Sequence, residues 1–326
     1  MNSVISKLFD KATVPVMPIM THPGIELIGR RVIDAVTDGQ VHSDAVLALR
    51  KAYPMSVAST TIMDLSVEAQ AFGAEVVFED NSVPTVTGRL LSSAQDVGEL
   101  EIPPLDRGRL PEYLKAVRLS APGLDVPLFG GCIGPFSLAG RLYDMTELMM
   151  AMYIEPETAH ALLRKCTLFL TEYVKAIKEA GAAGVVMAEP AAGLLSDTDC
   201  TQYSSVYVRE IVDAVQDDGF AVILHNCGNK GQCTESMIAT GAAALHFGNA
   251  IDMAGVLAEV PADIAVMGNV DPVGVMKMGS PEQVADAVRK LKSLSAGYGN
   301  YILSTGCDVP PAAPEANIRA FFEASL

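Results

Sequence analysis

Residues 221–250 read AVILHNCGNKGQCTESMIATGAAALHFGNA. The apolar run 221–224 predicts a short strand, 230–240 a helix, and the apolar run 243–245 a second strand. Two short apolar strands joined by a helix form a parallel pair, with both faces of each strand covered. The same unit recurs on either side. Towards the N-terminus, GVVMA (184–188) is a strand followed by a helix over 199–216. Towards the C-terminus come a helix at 252–259, a strand at 264–267, a helix at 281–294, a strand at 301–303 and a helix at 314–324. Ser280 is placed to cap the 281 helix, with Pro281 at its first position.

The first half follows this rhythm less regularly. We expect a strand at 14–19, helices at 25–37, 43–52 and 67–72, and an extended piece at 75–78. A hairpin-like insertion at 81–105, a helix at 110–119, a strand at 126–129 and a long helix at 156–180 follow. The pattern predicts an α/β fold, a (β/α)8 TIM barrel with an N-terminal elaboration, as one domain spanning residues 1–326. Length favours closure into a barrel, since about 250 residues make one and the remainder is the elaboration. Neither G-x-G-x-x-G after the first strand nor G-x-x-x-x-G-K-[ST] occurs, which leaves the usual nucleotide-binding open sheets unsupported.

Composition narrows the function. Half of the 326 residues are apolar and 19% are charged, with a formal net charge of −16. So acidic a chain lacks the clustered cations that nucleic acid or an anionic membrane surface requires. No apolar run approaches the roughly 18–20 residues of a bilayer span, and MNSVISKLFDKATVPVMPIM lacks the continuous apolar region of a signal peptide. The expected location is the cytoplasm. There the six widely spaced cysteines point to metal binding or catalysis rather than disulfides.

Catalytic groups of such barrels lie at the C-terminal ends of the strands. There this sequence places Glu189, His225, Asn226, Cys227, His246, Asn249, Asn269, Asp271, Ser304, Cys307 and Asp308. The opposite loops, AGAAG, QDDGF, ATGAA, EVPAD and SAGYGN, carry no His or Cys. In an extended segment, residues i and i+2 point the same way, so His225 and Cys227 can reach one ion. Imidazole with thiolate suits zinc, and three protein ligands with an open fourth position make a catalytic site. Cys307 is the candidate third ligand. His246 reads equally as a fourth ligand, a supporting group or a core histidine, and His22 is a rim candidate. Cys132 could border a pocket. Cys166 and Cys233 read as helical core residues, His42 and His160 as surface residues.

LHNCGN (224–229), GNVDP (268–272) and LSTGCDVPPAAPEANIRAF (303–321) resemble the uroporphyrinogen decarboxylase superfamily. More narrowly they resemble its methylcobamide:coenzyme M methyltransferase branch. TIMDLSVEAQAFGAEVVFED (61–80), GGCIGPFSLAGRL (130–142) and EPAAGLLS (189–196) extend the likeness over most of the chain. The resemblance implies zinc held by the H-x-C and a distant G-C cysteine, which fall on His225, Cys227 and Cys307. It also maps the superfamily's pyrrole-binding aspartate onto Asp64. The decarboxylases' arginine-rich motif is replaced by MTHPGIELIGRR (20–31). The acid that approaches zinc in the coenzyme M group has no counterpart in HFGN (246–249), leaving His246, water or substrate for the fourth position.

The implied reaction moves a methyl group between a methylated corrinoid and a small thiol, with Zn2+ binding the thiol. No corrinoid-binding Asp-x-His-x-x-Gly is present, so the corrinoid would arrive on a partner protein. Glu189 and Asp64 are the candidates for orienting substrate, with Asp308, Asn249 and Asp271 in support. A homodimer is left open. Two alternatives stand beside this reading: a metal-free decarboxylase, and a non-catalytic corrinoid- or thiol-binding protein.

Overall fold

In the computed structural model, which describes residues 1–10 and 14–326, the strands of the second half are buried along their length except at Asn269, as a parallel sheet covered on both faces requires. In chain order the strands are β1 (Ser59–Thr60), β2 (Val76–Glu79), β3 (Ser82–Val86), β4 (Leu128–Ile133), β5 (Gly184–Ala188), β6 (Ala221–Asn226), β7 (Ala244–Phe247), β8 (Ala265–Val270) and β9 (Tyr301–Thr305). β1 and β4 to β9 form one parallel sheet in the order β1-β4-β5-β6-β7-β8-β9.

The sheet closes through the segment 15–17. Met17 N–H donates to Leu303 O and Leu303 N–H to Pro15 O, both at 2.9 Å. On its other side Val57 N–H donates to Val16 O at 2.9 Å. That segment is the eighth stave, and the barrel is a (β/α)8 fold as expected. The strand β1 went unread in the sequence. Its ladder to β4 spans only Ser59 and Thr60, too short and too polar for an apolar run.

Alternation along the strands sorts the core into two layers. Val185, Met187, Val222, Leu224 and Leu245 face the helices. Val186, Ala188, Ala221, Ile223, Ala244, Ala265, Met267 and Ile302 face the barrel interior. Several interior positions are alanine, so the bore is not filled by the strands alone. A helix absent from the sequence reading, Ser3–Leu8, supplies the missing volume with Val4, Ile5 and Leu8. Asn2 Nδ2 anchors it to Asp217 O, in the loop before β6, at 2.8 Å. This helix therefore stoppers the end opposite the strand C-termini.

Other departures are local. The expected helix at 25–37 is two, His22–Leu27 and Val32–Thr37, separated by Gly29 in the left-handed region (φ 65°). The expected 230–240 helix shrinks to Thr234–Ile238, because Asn229 folds the preceding residues into a turn through Gly231 N and Cys233 N. The 81–105 insertion is half hairpin, β2 with β3, and half helix, Ala94–Glu99. Helices Pro135–Tyr143 and Met145–Ile154 were not anticipated. Among the described residues no helix is long and apolar enough to cross a membrane.

Candidate metal centre

The inward phase of β6 runs Ala221, Ile223 and then His225, so the imidazole enters the bore just above the apolar layers. Cys227 continues that phase beyond the strand end. Its loop is shaped by Asn226 Oδ1, which accepts from Gly228 N and Asn229 N at 3.0 Å each. Cys307 arrives from beyond β9. The preceding Gly306 lets the chain approach closely, since a Cβ there would lie 2.7 Å from Asn249 N. The result is one nitrogen and two sulfurs all within 4.8 Å of one another, with His225 buried and both cysteines half-buried. His225 Nε2 and Cys307 Sγ are 3.4 Å apart. The two thiols interact. Hydrogen bonding from Cys307 holds the Cys227 thiol down at about 7, whereas the same contact and burial push Cys307 up.

Behind this trio stands a line of hydrogen bonds that sequence alone did not resolve. His246 is the register partner of His225. Its Nδ1 lies 2.8 Å from His225 Nδ1, and its Nε2 lies 2.9 Å from Ser304 Oγ. For His225 to offer Nε2 as a lone pair, its proton must sit on Nδ1 and be donated to His246. Burial holds His246 well below the ordinary histidine range, keeping it neutral and able to accept. Its own N–H then goes to Ser304. Of the readings open for His246, the geometry places it behind His225, orienting the ring. Ser304 was legible as the inward neighbour of Ile302, two residues on.

The other candidates fall in separate places. Glu189 follows β5 and is buried. Its carboxylate accepts from Phe136 N at 3.0 Å and Ser137 N at 2.6 Å, at the first turn of helix Pro135–Tyr143. Burial raises it to about 7. Asp64 is also buried. One oxygen accepts from Ser66 N (2.9 Å) and Ser66 Oγ (2.6 Å), the other from Tyr113 OH (2.9 Å) and from Arg109, its ion-pair partner. Neither carboxylate belongs to the nitrogen–sulfur trio. Arg109 and Tyr113 carried no sequence signal, because their meeting with Asp64 depends on how helix Leu110–Ser120 packs. Buried Glu68, raised to about 7 by burial, accepts from Ile133 N–H through Oε1.

His22 is a rim residue, as expected, and its Nε2 pairs with Asp308 at 3.4 Å. Asp271 Oδ1 accepts from Val273 N and Gly274 N, closing a turn. Cys132, Cys166 and Cys233 are buried; Cys233 sits at the cap of Thr234–Ile238 rather than within a helix. Of the two histidines read as surface residues, His42 is not one and His160 is half-buried. His42 is fully buried, its Nε2 accepting from Ile62 N–H at 2.9 Å. His160 stacks on Tyr203, with ring centroids 4.7 Å apart.

The chain is 32% identical to a methylcobamide:CoM methyltransferase, MtbA, of Methanosarcina mazei, over 80% of this chain and 76% of that protein. It is 29% identical to a uroporphyrinogen decarboxylase of Serratia proteamaculans, over 88% and 83%. Among solved structures, a methyltransferase from Methanosarcina mazei superposes with a TM-score of 0.88, at 24% identity, covering 99% of this chain and 96% of the other. A B12-independent methionine synthase from a Shewanella species, solved with selenomethionine, shares the fold at a TM-score of 0.58, 15% identity, and 98% and 96% coverage. The uroporphyrinogen decarboxylase (URO-D) family model matches residues 10–325, and the chain belongs to that family.

Proposed function

We propose that this chain is a zinc-dependent methyltransferase that moves a methyl group between a corrinoid, carried by a partner protein, and a small thiol. The observation that carries this reading is the trio His225, Cys227 and Cys307 at the barrel mouth. One imidazole and two thiols are a borderline-soft donor set, which suits Zn2+ and leaves room for a fourth ligand. His225 Nε2 and the two sulfurs would hold zinc, which would supply the Lewis acidity that keeps a substrate thiol deprotonated near neutral pH.

The chain's own groups do the rest. His246 and Ser304 hold the His225 ring so that Nε2 faces the two sulfurs. Cys227, low for a thiol, gives up its proton readily. Glu189 locks the first turn of helix Pro135–Tyr143 against the end of β5, making the rim rigid where substrate enters. Asp64 acts with Arg109 and Tyr113 as a positioning cluster, not as a proton carrier, because each of its oxygens already accepts two hydrogen bonds. The same occupancy weakens the metal-free decarboxylase alternative, which also gives the two cysteines no task.

The test is loss of the methyl–cobalt absorbance of methylcobalamin with a panel of thiols, alongside metal analysis of the purified protein. Stoichiometric zinc and thiol-dependent demethylation are expected. Protein without zinc whose activity is indifferent to Cys307→Ala would sink the proposal.

A further inference from the structure

Cys200 and Cys233 meet at the seam between two short helices, Asp197–Cys200 and Thr234–Ile238. Both are free thiols, 1% and 0% exposed, and neither belongs to the nitrogen–sulfur trio. The seam is pinned by Ser236, whose Oγ donates to the Asp197 side chain and accepts from Thr201 Oγ1 at 3.2 Å. Across it the two thiols hydrogen bond with each other. The chain leaves Cys200 in a π turn, Thr201–Ser205, in which Val206 N–H donates to Thr201 O. In such a turn residue i+5 comes round beneath residue i, whereas a regular α-helix sends it to another side. Ser205 Oγ is thereby brought to 3.8 Å from Cys200 Sγ.

The two sulfurs have unlike surroundings. Cys233 Sγ faces two carbonyl oxygens, Ala192 O at 3.5 Å and Leu195 O at 3.6 Å. A carbonyl only accepts, so this sulfur keeps its proton. Cys200 instead faces groups that can donate to it, the Cys233 thiol and Ser205 Oγ. Hydrogen bonding from Cys233, with Ser205 in support, holds the Cys200 thiol below its usual range, while the same contact and burial push Cys233 up. The thiolate is the nucleophile in sulfur chemistry, which makes Cys200 the attacking sulfur and Cys233 the resolving one. Helices of four and five residues are held by few bonds and open locally at small cost, which admits a small oxidant. Cys233 is also tied to the loop that carries Cys227. Its N–H donates to Asn229 Oδ1 at 3.1 Å, and Asn229 N–H donates to Asn226 Oδ1 at 3.0 Å, between His225 and Cys227. Gln232 Nε2 donates to Gly193 O at 2.7 Å, and a Cβ on Gly193 would lie 2.2 Å from Gly228 C, so this loop and the 190–195 turn are packed backbone to backbone.

We propose that Cys200 and Cys233 are a reversible disulfide site, closed by hydrogen peroxide and reopened by small thiols, which fastens the loop carrying Cys227. The Cys200 thiolate attacks one peroxide oxygen. The S–O bond forms, the O–O bond breaks, and hydroxide leaves to take up the proton that Cys200 gave up. The Cys233 sulfur then attacks the sulfenic sulfur. The S–S bond forms, the S–O bond breaks, and the departing hydroxide takes the Cys233 proton. Two thiols and one hydrogen peroxide thus become one disulfide and two waters. Two small thiols reverse the step by exchange and leave as their own disulfide. The site is independent of the reaction carried out at the metal centre.

The test treats zinc-loaded wild type with hydrogen peroxide, alkylates the remaining thiols and maps the digest by mass spectrometry. The expected product is a cross-linked peptide pair carrying Cys200 and Cys233, two hydrogens lighter than the free pair and restored by 2-mercaptoethanol. Cys233→Ser should trap Cys200 as a sulfenic acid that dimedone labels, and Cys200→Ser should leave Cys233 unlabelled. Zinc loss to a chelator should slow by about tenfold in the cross-linked protein, the low end of what groups behind a metal ligand contribute. Cys200 and Cys233 both still free after peroxide overturn the proposal, as does a disulfide joining Cys227 to Cys307 in their place. Dimedone labelling of Cys233 in Cys200→Ser overturns the assigned roles. Equal zinc loss from oxidised and reduced protein overturns the fastening of the loop. The wild-type map requires no substitution, so it decides the disulfide even where a variant fails to fold.

Discussion

His246 sits one hydrogen bond behind the candidate metal centre, and its neighbourhood explains why a histidine is tolerated there. Buried and neutral, it accepts from His225 Nδ1 and passes its own proton to Ser304 Oγ. Groups in this position typically change metal affinity by 10- to 100-fold. We expect His246→Ala to weaken zinc binding by about that factor, read by competition with a chelator, while the protein stays folded. Cys227→Ala and Cys307→Ala each remove a proposed ligand outright. Each should leave less than stoichiometric metal in the purified protein, measured by elemental analysis. If His246→Ala leaves zinc affinity unchanged, the ring of His225 is held by its backbone alone. His225 and Cys227 were legible at this scale because strand phase sends i and i+2 the same way. The Asp64–Arg109–Tyr113 cluster was not, because nothing in the spacing of 64, 109 and 113 marks them as neighbours.

At the scale of elements, the site depends on turns that permit close approach. A Cβ on Gly306 would meet Asn249 N at 2.7 Å, a backbone atom that cannot swing aside. Gly306→Ala should therefore displace Cys307 and lower zinc affinity more than it lowers stability, a split that chelator competition and denaturant unfolding together detect. The helix Pro281–Ser295 offers the control. Ser280 Oγ accepts from Gln283 N and the Gln283 side chain returns to Ser280 N, a capping box. Ser280→Ala should cost about 1 kcal/mol in denaturant unfolding and leave metal content untouched. The cap was readable from Ser280-Pro281. The split of the 25–37 helix at Gly29 was not, since a lone glycine in a helical pattern is compatible with continuation.

For the whole molecule, protonation of buried groups sets the response to pH. His42 is held down at about 3, chiefly by burial, against an ordinary 6.5. Between those values the unfolded chain takes up a proton that the folded chain refuses. Stability from this site is therefore complete above pH 6.5 and is lost as pH falls, by about 1.4 kcal/mol per unit. Glu68 and Glu189, raised to about 7, act in the opposite sense: their contribution is complete below about 4.5 and is lost as pH rises through 7. Comparing unfolding of the wild type with His42→Gln isolates the histidine. The wild type should lose stability relative to the variant between pH 6.5 and 5, and a constant difference over that range refutes the assignment. The stoppering helix gives a second global test. Deleting residues 1–9 removes Val4, Ile5 and Leu8 from the bore and exposes its alanine-lined wall, and we expect a loss of about 3 kcal/mol or more with the candidate metal centre, at the other end of the bore, still assembled.

The sequence by itself determined the strand–helix rhythm from 184 onward, the rim on which the chemistry lies, and the pairing of His225 with Cys227. These follow from short-range periodicity, which any chain with those side chains must express. Only the tertiary structure decided that the strand expected at 14–19 closes the barrel, the short strand β1, the helix that fills an alanine-lined bore, and the place of His246 behind His225. Each of these depends on which distant segments share volume, and local pattern carries no record of that.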